Sequence, residues 1–208
     1  MKKKNKAIYL LFLMPFVYFA TACFVVWLVK TSGIYPSGSD TMYHVYRGDY
    51  VYNAIKSGNW YPLYDPAWYN GVEILRYWSP FPAYVMAFCQ YLAGGSQFGA
   101  YLFYIGGVCF LGACVWPFIG RGFNRPYLGA FIGLLWFFMT NNLCAIFIEG
   151  NLARSLSMIF LPVFIYSVYK YLYNHKLRYI PLMVFTFLLM ELCHLGYAGM
   201  VAIAVIIY

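Results

Sequence analysis

Residues 98–119 read FGAYLFYIGGVCFLGACVWPFI, an apolar run without a single charged side chain. A helix needs about 20 such residues to cross the hydrocarbon of a bilayer. Comparable runs cover residues 7–29, 127–148, 155–173 and 179–195, and an incomplete one covers residues 198–208. This pattern predicts a protein that crosses a membrane several times.

The composition of the whole chain supports the same class. Of its 208 residues, 63% are hydrophobic and only 10% are charged, against about a quarter charged in soluble domains. Only helices or closed barrels satisfy the backbone in lipid, and no stretch alternates with a period of two, so the sequence predicts an all-α polytopic membrane protein. The last run cannot cross alone, and we expect residues 1–208 to be the N-terminal part of a longer transmembrane domain.

Charges between the runs predict the orientation. The net charge is +8, but the basic residues stand at the ends of the apolar runs rather than on a polar face that could bind nucleic acid. Residues 81–93 are too few to span, and an interfacial helix there places Arg121 and Arg125 in the cytoplasm, as the positive-inside rule requires. We therefore expect a cytoplasmic N-terminus and an external loop over residues 30–97.

The external loop holds most of the acidic side chains. Four of the six Asp and Glu residues lie in it, namely Asp40, Asp49, Asp65 and Glu73. If Ser39 or Asp40 begins a helix, Asp40, His44 and Arg47 share one of its faces. This carboxylate and imidazole can act as a base with its orienting partner, bind a divalent metal, or simply cap and pair in a solvated loop. The spacing leaves all three open.

Two further pairs of polar residues interrupt the apolar runs. Glu149 and Arg154 flank the next external gap, where they are either functional or a local pair beside Asn151, which can cap the following helix. Glu191 and His194 share a helix face and could meet a phosphate, a metal ion or each other.

An aromatic segment of the loop carries the last candidates. Trp60 and Tyr61 belong to GNWYP at residues 58–62, whose proline and glycine exclude a long helix. Such rings suit the headgroup belt of a membrane, and they could equally stack on sugars.

The motifs of the loop, taken in order, resemble a known arrangement. A basic N-terminus and one helix precede GSDTMYH at residues 38–44, GNWYP at residues 58–62 and YWSPFP at residues 77–82. This order resembles the N-terminal module of GT-C glycosyltransferases. More narrowly, it is similar to the bacterial membrane proteins described as 6-pyruvoyl-tetrahydropterin synthase related. The resemblance implies a GT-C-like helical bundle with interfacial helices in the first external loop, in a bacterial plasma membrane.

The resemblance also implies a reaction. A sugar would move from a polyprenyl-phosphate donor to a saccharide, lipid or protein acceptor at the outer membrane face. Asp40 corresponds to the catalytic or metal-associated carboxylate, and Glu149 matches a second acidic residue in the next external loop. Arg154 or His194 would stabilise the departing lipid phosphate.

The metal cofactor and the shape of the site stay open at this point. Relatives often carry an acidic doublet where this chain has Ser39-Asp40-Thr41, so a divalent metal, with Asp40 and His44 as its candidate ligands, is not required. The candidate substrate-binding residues are His44, Arg47, Trp60, Tyr61, Arg154, Glu191 and His194. We expect Asp40, His44, Glu149, Glu191 and His194 to converge on one cavity, because isolated charges near lipid are costly.

Two other functions compete with sugar transfer. One is a non-catalytic membrane partner that binds lipid or glycan on the same scaffold. The other is a transporter, which would usually show inverted repeats and charges in the middle of its helices. The sequence shows no internal repeat, and its acidic residues lie near helix ends on one side, which disfavours transport.

Overall fold

A computed structural model describes the backbone of residues 2–208 and the side chains from Phe12 onward. The helices are α1 (Lys2–Ser32), α2 (Thr41–Lys56), α3 (Ile74–Tyr77), α4 (Phe81–Leu92), α5 (Gln97–Gly122), α6 (Pro126–Leu135), α7 (Thr140–Leu143), α8 (Leu152–Met158), α9 (Leu161–Leu172), α10 (Ile180–Cys193) and α11 (Leu195–Ile207). Within these described residues no strand forms beyond one isolated bridge between Asp65 and Val72. The predicted all-α class is confirmed.

Four helical stretches are long and apolar enough to cross a membrane. They are Phe12–Ser32, Gln97–Gly122, Pro126–Ile148 and Leu152–Leu172. Their places agree with four of the runs found in the sequence, and they confirm a polytopic membrane protein. The helices α10 and α11 are shorter and join at His194, whose extended backbone (φ −157°, ψ 95°) breaks the helix.

The third stretch changes its helical type along its length. After α6, residues 136–138 form a 3₁₀-helix, and after α7 residues 144–148 form a π-helix. The Nδ2 of Asn142 donates to the Trp136 carbonyl at 2.8 Å. A side chain that enters the backbone ladder in this way is a common cause of a break in a long helix.

The segment between α1 and α5 forms a small layer of its own. Helix α2 packs against α4, and α4 packs in turn against α5. The contact between α2 and α4 has its own apolar core, which includes Val51, Ile74 and Ala87. At 12 residues, α4 is too short to cross a bilayer.

The two ends of the helical bundle differ in charge. One end, here called the acidic end, holds Asp40, which donates its backbone N–H to the Glu149 carbonyl at 3.0 Å. The opposite, basic end holds Arg121, Arg125, Lys170, Lys176 and Arg178, where the Nζ of Lys170 donates to the carbonyl of Gly122 at 2.8 Å. Helix α11 returns to the basic end. The hydroxyl of Tyr208, the residue directly after α11, hydrogen-bonds to the hydroxyl of Tyr173, which directly follows α9.

Candidate functional site

The start of α2 is fixed to the turn before α8 by a close backbone crossing. Besides the Asp40 N–H, the Ser39 hydroxyl donates to the Glu149 carbonyl at 3.0 Å. Gly150 has a φ of +67°, and a Cβ there would lie 2.2 Å from the Oγ1 of Thr41. A Cβ on Gly38 would lie 2.5 Å from the backbone of Gly150. The crossing therefore needs glycine in both segments, at position 38 and at position 150, and it fixes the position of Asp40.

The carboxylate of Asp40 is not used as a helix cap. Asp40 occupies the N-cap position of α2, but its side chain makes no capping hydrogen bond. The only side-chain partner found for it in the described residues is the Ser39 hydroxyl, 3.3 Å from its Oδ1, and the one hydrogen of that hydroxyl has the Glu149 carbonyl as a closer acceptor. Capping, one of the three roles that the spacing left open, is therefore not the role of this carboxylate.

A cavity of about 280 Å³ opens at the acidic end beside this carboxylate. Its wall takes side chains from α2, from the segment before α4, from the start of α8 and from the break between α10 and α11. Among them are Asp40, Tyr43, His44, Arg47, Trp78, Ser79, Asn151 and His194. Four segments far apart in sequence thus meet around one polar space.

Arg47 brings a buried positive charge to the cavity. The residue is only 2% exposed, and no carboxylate of the described residues lies within ion-pair distance of it. Its Nη2 reaches three carbonyls at 3.3–3.5 Å, longer than ordinary N–H···O bonds, and its Nε has no partner. Burial lowers the pKa of Arg47, but a guanidinium stays protonated in proteins. A buried cation without an anion is costly, and an anionic ligand would remove that cost.

The aromatic rings of Tyr43 and Trp78 surround this guanidinium. Their centroids lie 5.4 Å and 5.8 Å from the Cζ of Arg47. The faces of these rings attract the cation. They carry no negative charge, however, and they do not replace the hydrogen-bond acceptors that the N–H groups of the guanidinium need. They hold the guanidinium without neutralising it.

His44 is a neutral imidazole in this setting. Burial first, then the nearby charge of Arg47 and then His194, lower the pKa of His44 to about 3. It therefore adds no positive charge at neutral pH and can accept or donate a hydrogen bond.

His194 and Asn151 present two N–H groups to each other. The Nδ1 of His194 accepts the backbone N–H of Tyr197 at 3.0 Å, so the Nε2 of the neutral ring carries its hydrogen. The Oδ1 of Asn151 accepts the N–H of Arg154 as the cap of α8, which leaves the Asn151 Nδ2 facing His194 Nε2 at 3.3 Å. Two donors that face each other lack an acceptor, and an oxygen of a bound ligand would supply it.

Other candidates from the sequence lie beside the cavity without lining it. Glu149 meets Asp40 through its main chain, while its carboxylate binds the Nη1 of Arg154 at 2.6 and 2.8 Å. Arg154 also donates to Asn141. Glu191 offers its carbonyl to the hydroxyl of Ser79 at 2.9 Å, and its carboxylate does not reach the wall. The sequence left open whether Glu149 and Arg154 are functional or form a local pair, and the structure shows the local pair.

The aromatic candidates also lie elsewhere. Trp60 is 71% exposed and Tyr61 51% exposed, and neither contributes to the cavity wall. The rings that do are Tyr43, Tyr77 and Trp78. A helical spacing of four between Tyr43 and Arg47 could have indicated the first of them, whereas Trp78 reaches the cavity only through the tertiary fold.

The described residues do not assemble a metal-binding group. No three His, Cys, Asp or Glu side chains among them are close enough together to hold a metal ion. Asp40 and His44 supply two donors, and no third joins them.

Together these features define an all-helical polytopic membrane protein with a polar, partly cationic cavity at one end of its bundle. The family model described as 6-pyruvoyl-tetrahydropterin synthase related domain, a membrane protein, matches residues 75–208, and the chain belongs to this family. The match includes Trp78, Asn151 and His194 and begins after Asp40 and Arg47. Among curated proteins and solved structures, none matches the chain.

Proposed function

We propose that this protein transfers a sugar from a polyprenyl-phosphate donor to an acceptor at the outer face of a bacterial plasma membrane. The observation that carries the proposal is the pairing of groups in one cavity. A carboxylate free of helix capping, on Asp40, shares the cavity with the unpaired buried guanidinium of Arg47. Transfer from a phosphate leaving group requires a base and an anion-binding group in one space, and both line this cavity.

The residues divide the reaction between them. Asp40 takes the proton of the acceptor hydroxyl, whose oxygen then bonds to the anomeric carbon of the donor sugar. The bond between that carbon and the donor phosphate breaks, and the electron pair stays on the phosphate. Arg47, with the N–H groups of Asn151 and His194, stabilises this charge. Arg47 thus takes the part that the resemblance gave to Arg154, whose guanidinium is held by Glu149.

The proposed orientation follows from the two ends of the bundle. Cytoplasmic loops are enriched in Lys and Arg, so the basic end belongs in the cytoplasm and the cavity opens outside. In a variant lacking the native cysteines, an impermeant thiol reagent applied from outside should label a cysteine at Asn59 and leave one at Asn124 unlabelled. The reverse pattern would refute this orientation.

The decisive experiment replaces Asp40. In proteoliposomes of the full-length protein, transfer of radiolabelled sugar from a polyprenyl-phosphate sugar should fall by about 10² or more in Asp40→Asn, the scale for loss of a general base. Asp49→Asn is the matched control, because Asp49 lies on the same helix and accepts from Gln90 at 2.6 Å through an oxygen that Asn keeps. If Asp40→Asn stayed active at normal expression, a non-catalytic lipid- or glycan-binding partner would be the better description.

A further inference from the structure

A second, apolar groove lies along the spanning part of the bundle, and one end of it, at Tyr197, comes close to the Asp40 cavity without sharing a lining residue with it. Its volume is about 440 Å³, and α5, α9 and the broken third span form its walls. Most of the lining is apolar or aromatic, and its rings are Trp116, Phe123, Trp136, Tyr166, Tyr169 and Tyr197. A groove of this size and polarity fits a hydrocarbon chain.

The groove runs towards the basic end. Its upper limit is near Asn141, before the turn that leads to the acidic end, and its lower limit is at Phe123 and Tyr169, where α5 and α9 finish. The stretch between these limits belongs to three of the candidate membrane spans. A chain that occupies the groove therefore lies along the bilayer normal, with its polar group at the basic end.

Two cations stand at this lower mouth. The Nζ of Lys170 lies 4.8 Å from the centroid of Phe123 and 5.3 Å from that of Tyr166, two rings of the groove wall. Its hydrogen bond to Gly122 uses one of the three N–H donors of the ammonium group. Arg178 stacks on Tyr179, which packs edge-on against Tyr166 at 5.7 Å.

The charged residues in the segments around this mouth are all basic. All six acidic residues of the chain, Asp40, Asp49, Asp65, Glu73, Glu149 and Glu191, belong to segments at the acidic end. Lys170 and Arg178 thus have no carboxylate from this chain at the basic end to neutralise them. Basic pockets between spanning helices attract anionic lipid headgroups.

We infer that the groove binds one acyl chain of an anionic phospholipid, whose phosphate rests on Lys170 and Arg178. The apolar rings select a hydrocarbon chain, and the two cations select a negative headgroup over a zwitterionic one. This site is separate from the Asp40 cavity and does not depend on sugar transfer.

Quenching of tryptophan fluorescence tests the inference directly, because Trp116 and Trp136 line the groove. The full chain is placed in phosphatidylcholine nanodiscs that contain dibrominated phosphatidylglycerol or, at equal mole fraction, dibrominated phosphatidylcholine. Subtracting the signal of a Trp116→Phe/Trp136→Phe variant isolates the two groove tryptophans from the rest. We expect the brominated phosphatidylglycerol to quench them more strongly than its mole fraction predicts, and the brominated phosphatidylcholine not to.

Charge variants then locate the headgroup. Lys170→Gln keeps a donor for Gly122 and should lower the preference for phosphatidylglycerol about fivefold, the effect of about 1 kcal/mol per cation near an anionic lipid. Arg178→Gln should act in the same direction. The control is Lys176→Gln, because Lys176 is an exposed lysine between α9 and α10 that stacks on none of the groove rings, and this change should leave the preference nearly unchanged.

Two results would overturn the inference. Equal quenching by both brominated lipids, unaffected by Lys170→Gln, would mean that the groove holds bulk lipid without selection. Displacement of the brominated chain by small amounts of polyprenyl phosphate would assign the groove to that isoprenoid chain instead. Neither result touches the assay of Asp40, so failure here is distinguishable from failure of the proposed function.

Discussion

Replacing Arg47 by methionine separates a ligand-binding role from a structural one. The change removes a buried charge and keeps an unbranched chain of similar length. In the wild-type protein the contacts of the Arg47 Nη2 with three carbonyls are long, at 3.3–3.5 Å, and the Arg47 Nε has no partner among the described residues. Replacement of a whole buried ion pair by apolar groups of similar volume is often neutral or stabilising by about 1–4 kcal/mol, and removing Arg47 likewise leaves no charged partner uncompensated among the described residues. We expect the free energy of unfolding of Arg47→Met to stay within about 1 kcal/mol of wild type or to rise.

Binding of a phosphate should respond in the opposite direction. A hydrogen bond to a charged group contributes about 1.5–3 kcal/mol, so losing one from Arg47 weakens binding about 10- to 150-fold. Two such bonds from the guanidinium fork would raise the loss further. The variant is thus expected to be stable and yet deficient in phosphate binding.

Thermal unfolding in detergent, followed by intrinsic fluorescence, measures both effects. Farnesyl phosphate is a suitable probe, since a ligand that binds only the folded state raises the Tm by an amount that grows with the logarithm of its concentration over its Kd. Arg76→Met is the matched control: Arg76 lies in the neighbouring segment, and its pair with Glu73 is exposed to solvent. The probe should raise the Tm of wild type and Arg76→Met alike and have little effect on Arg47→Met.

One outcome would refute the reasoning. If Arg47→Met lost more than about 3 kcal/mol of stability while farnesyl phosphate still raised its Tm, the guanidinium would be a structural tie between α2 and residues 74–79. The anion would then have to bind elsewhere in the cavity.

Two further predictions concern the groups around Asp40. The pKa of His44 is about 3 in the folded protein and about 6.5 in an unfolded chain. Between these two pH values the unfolded state therefore binds more protons than the folded state. Stability is then lost as pH falls below about 6.5, at up to about 1.4 kcal/mol per pH unit, and His44→Gln should flatten that part of the Tm–pH curve; identical curves would contradict the buried imidazole. Gly150→Ala should destabilise the protein by about 1–3 kcal/mol more than Gly33→Ala does, because both glycines have a positive φ but only the new Cβ at Gly150 meets other atoms. Equal unfolding midpoints in denaturant would count against the tight crossing.

Much of the membrane architecture could be predicted from the sequence. The apolar runs at residues 98–119 and 155–173 correctly predicted two membrane-spanning stretches. A bilayer sets the length and the apolar composition of each crossing separately, so these can be recognised without knowing what the helix packs against. The shared face of Asp40, His44 and Arg47 was predictable for the same reason, since the helical period is a local property. All three side chains do line one cavity.

The tertiary structure decided which polar groups are free and which are occupied. Glu149 and Arg154 looked like site residues, yet they pair with each other, and Glu149 reaches Asp40 only through its carbonyl. Trp60 lies on the surface while Trp78 stacks on Arg47. The pair of Glu149 and Arg154 is local, but the contact of Asp40 with Glu149 and that of Arg47 with Trp78 join segments 109 and 31 residues apart, where packing selects one partner among several of similar chemistry. The spacing of residues along the chain does not predict which of these partners is selected.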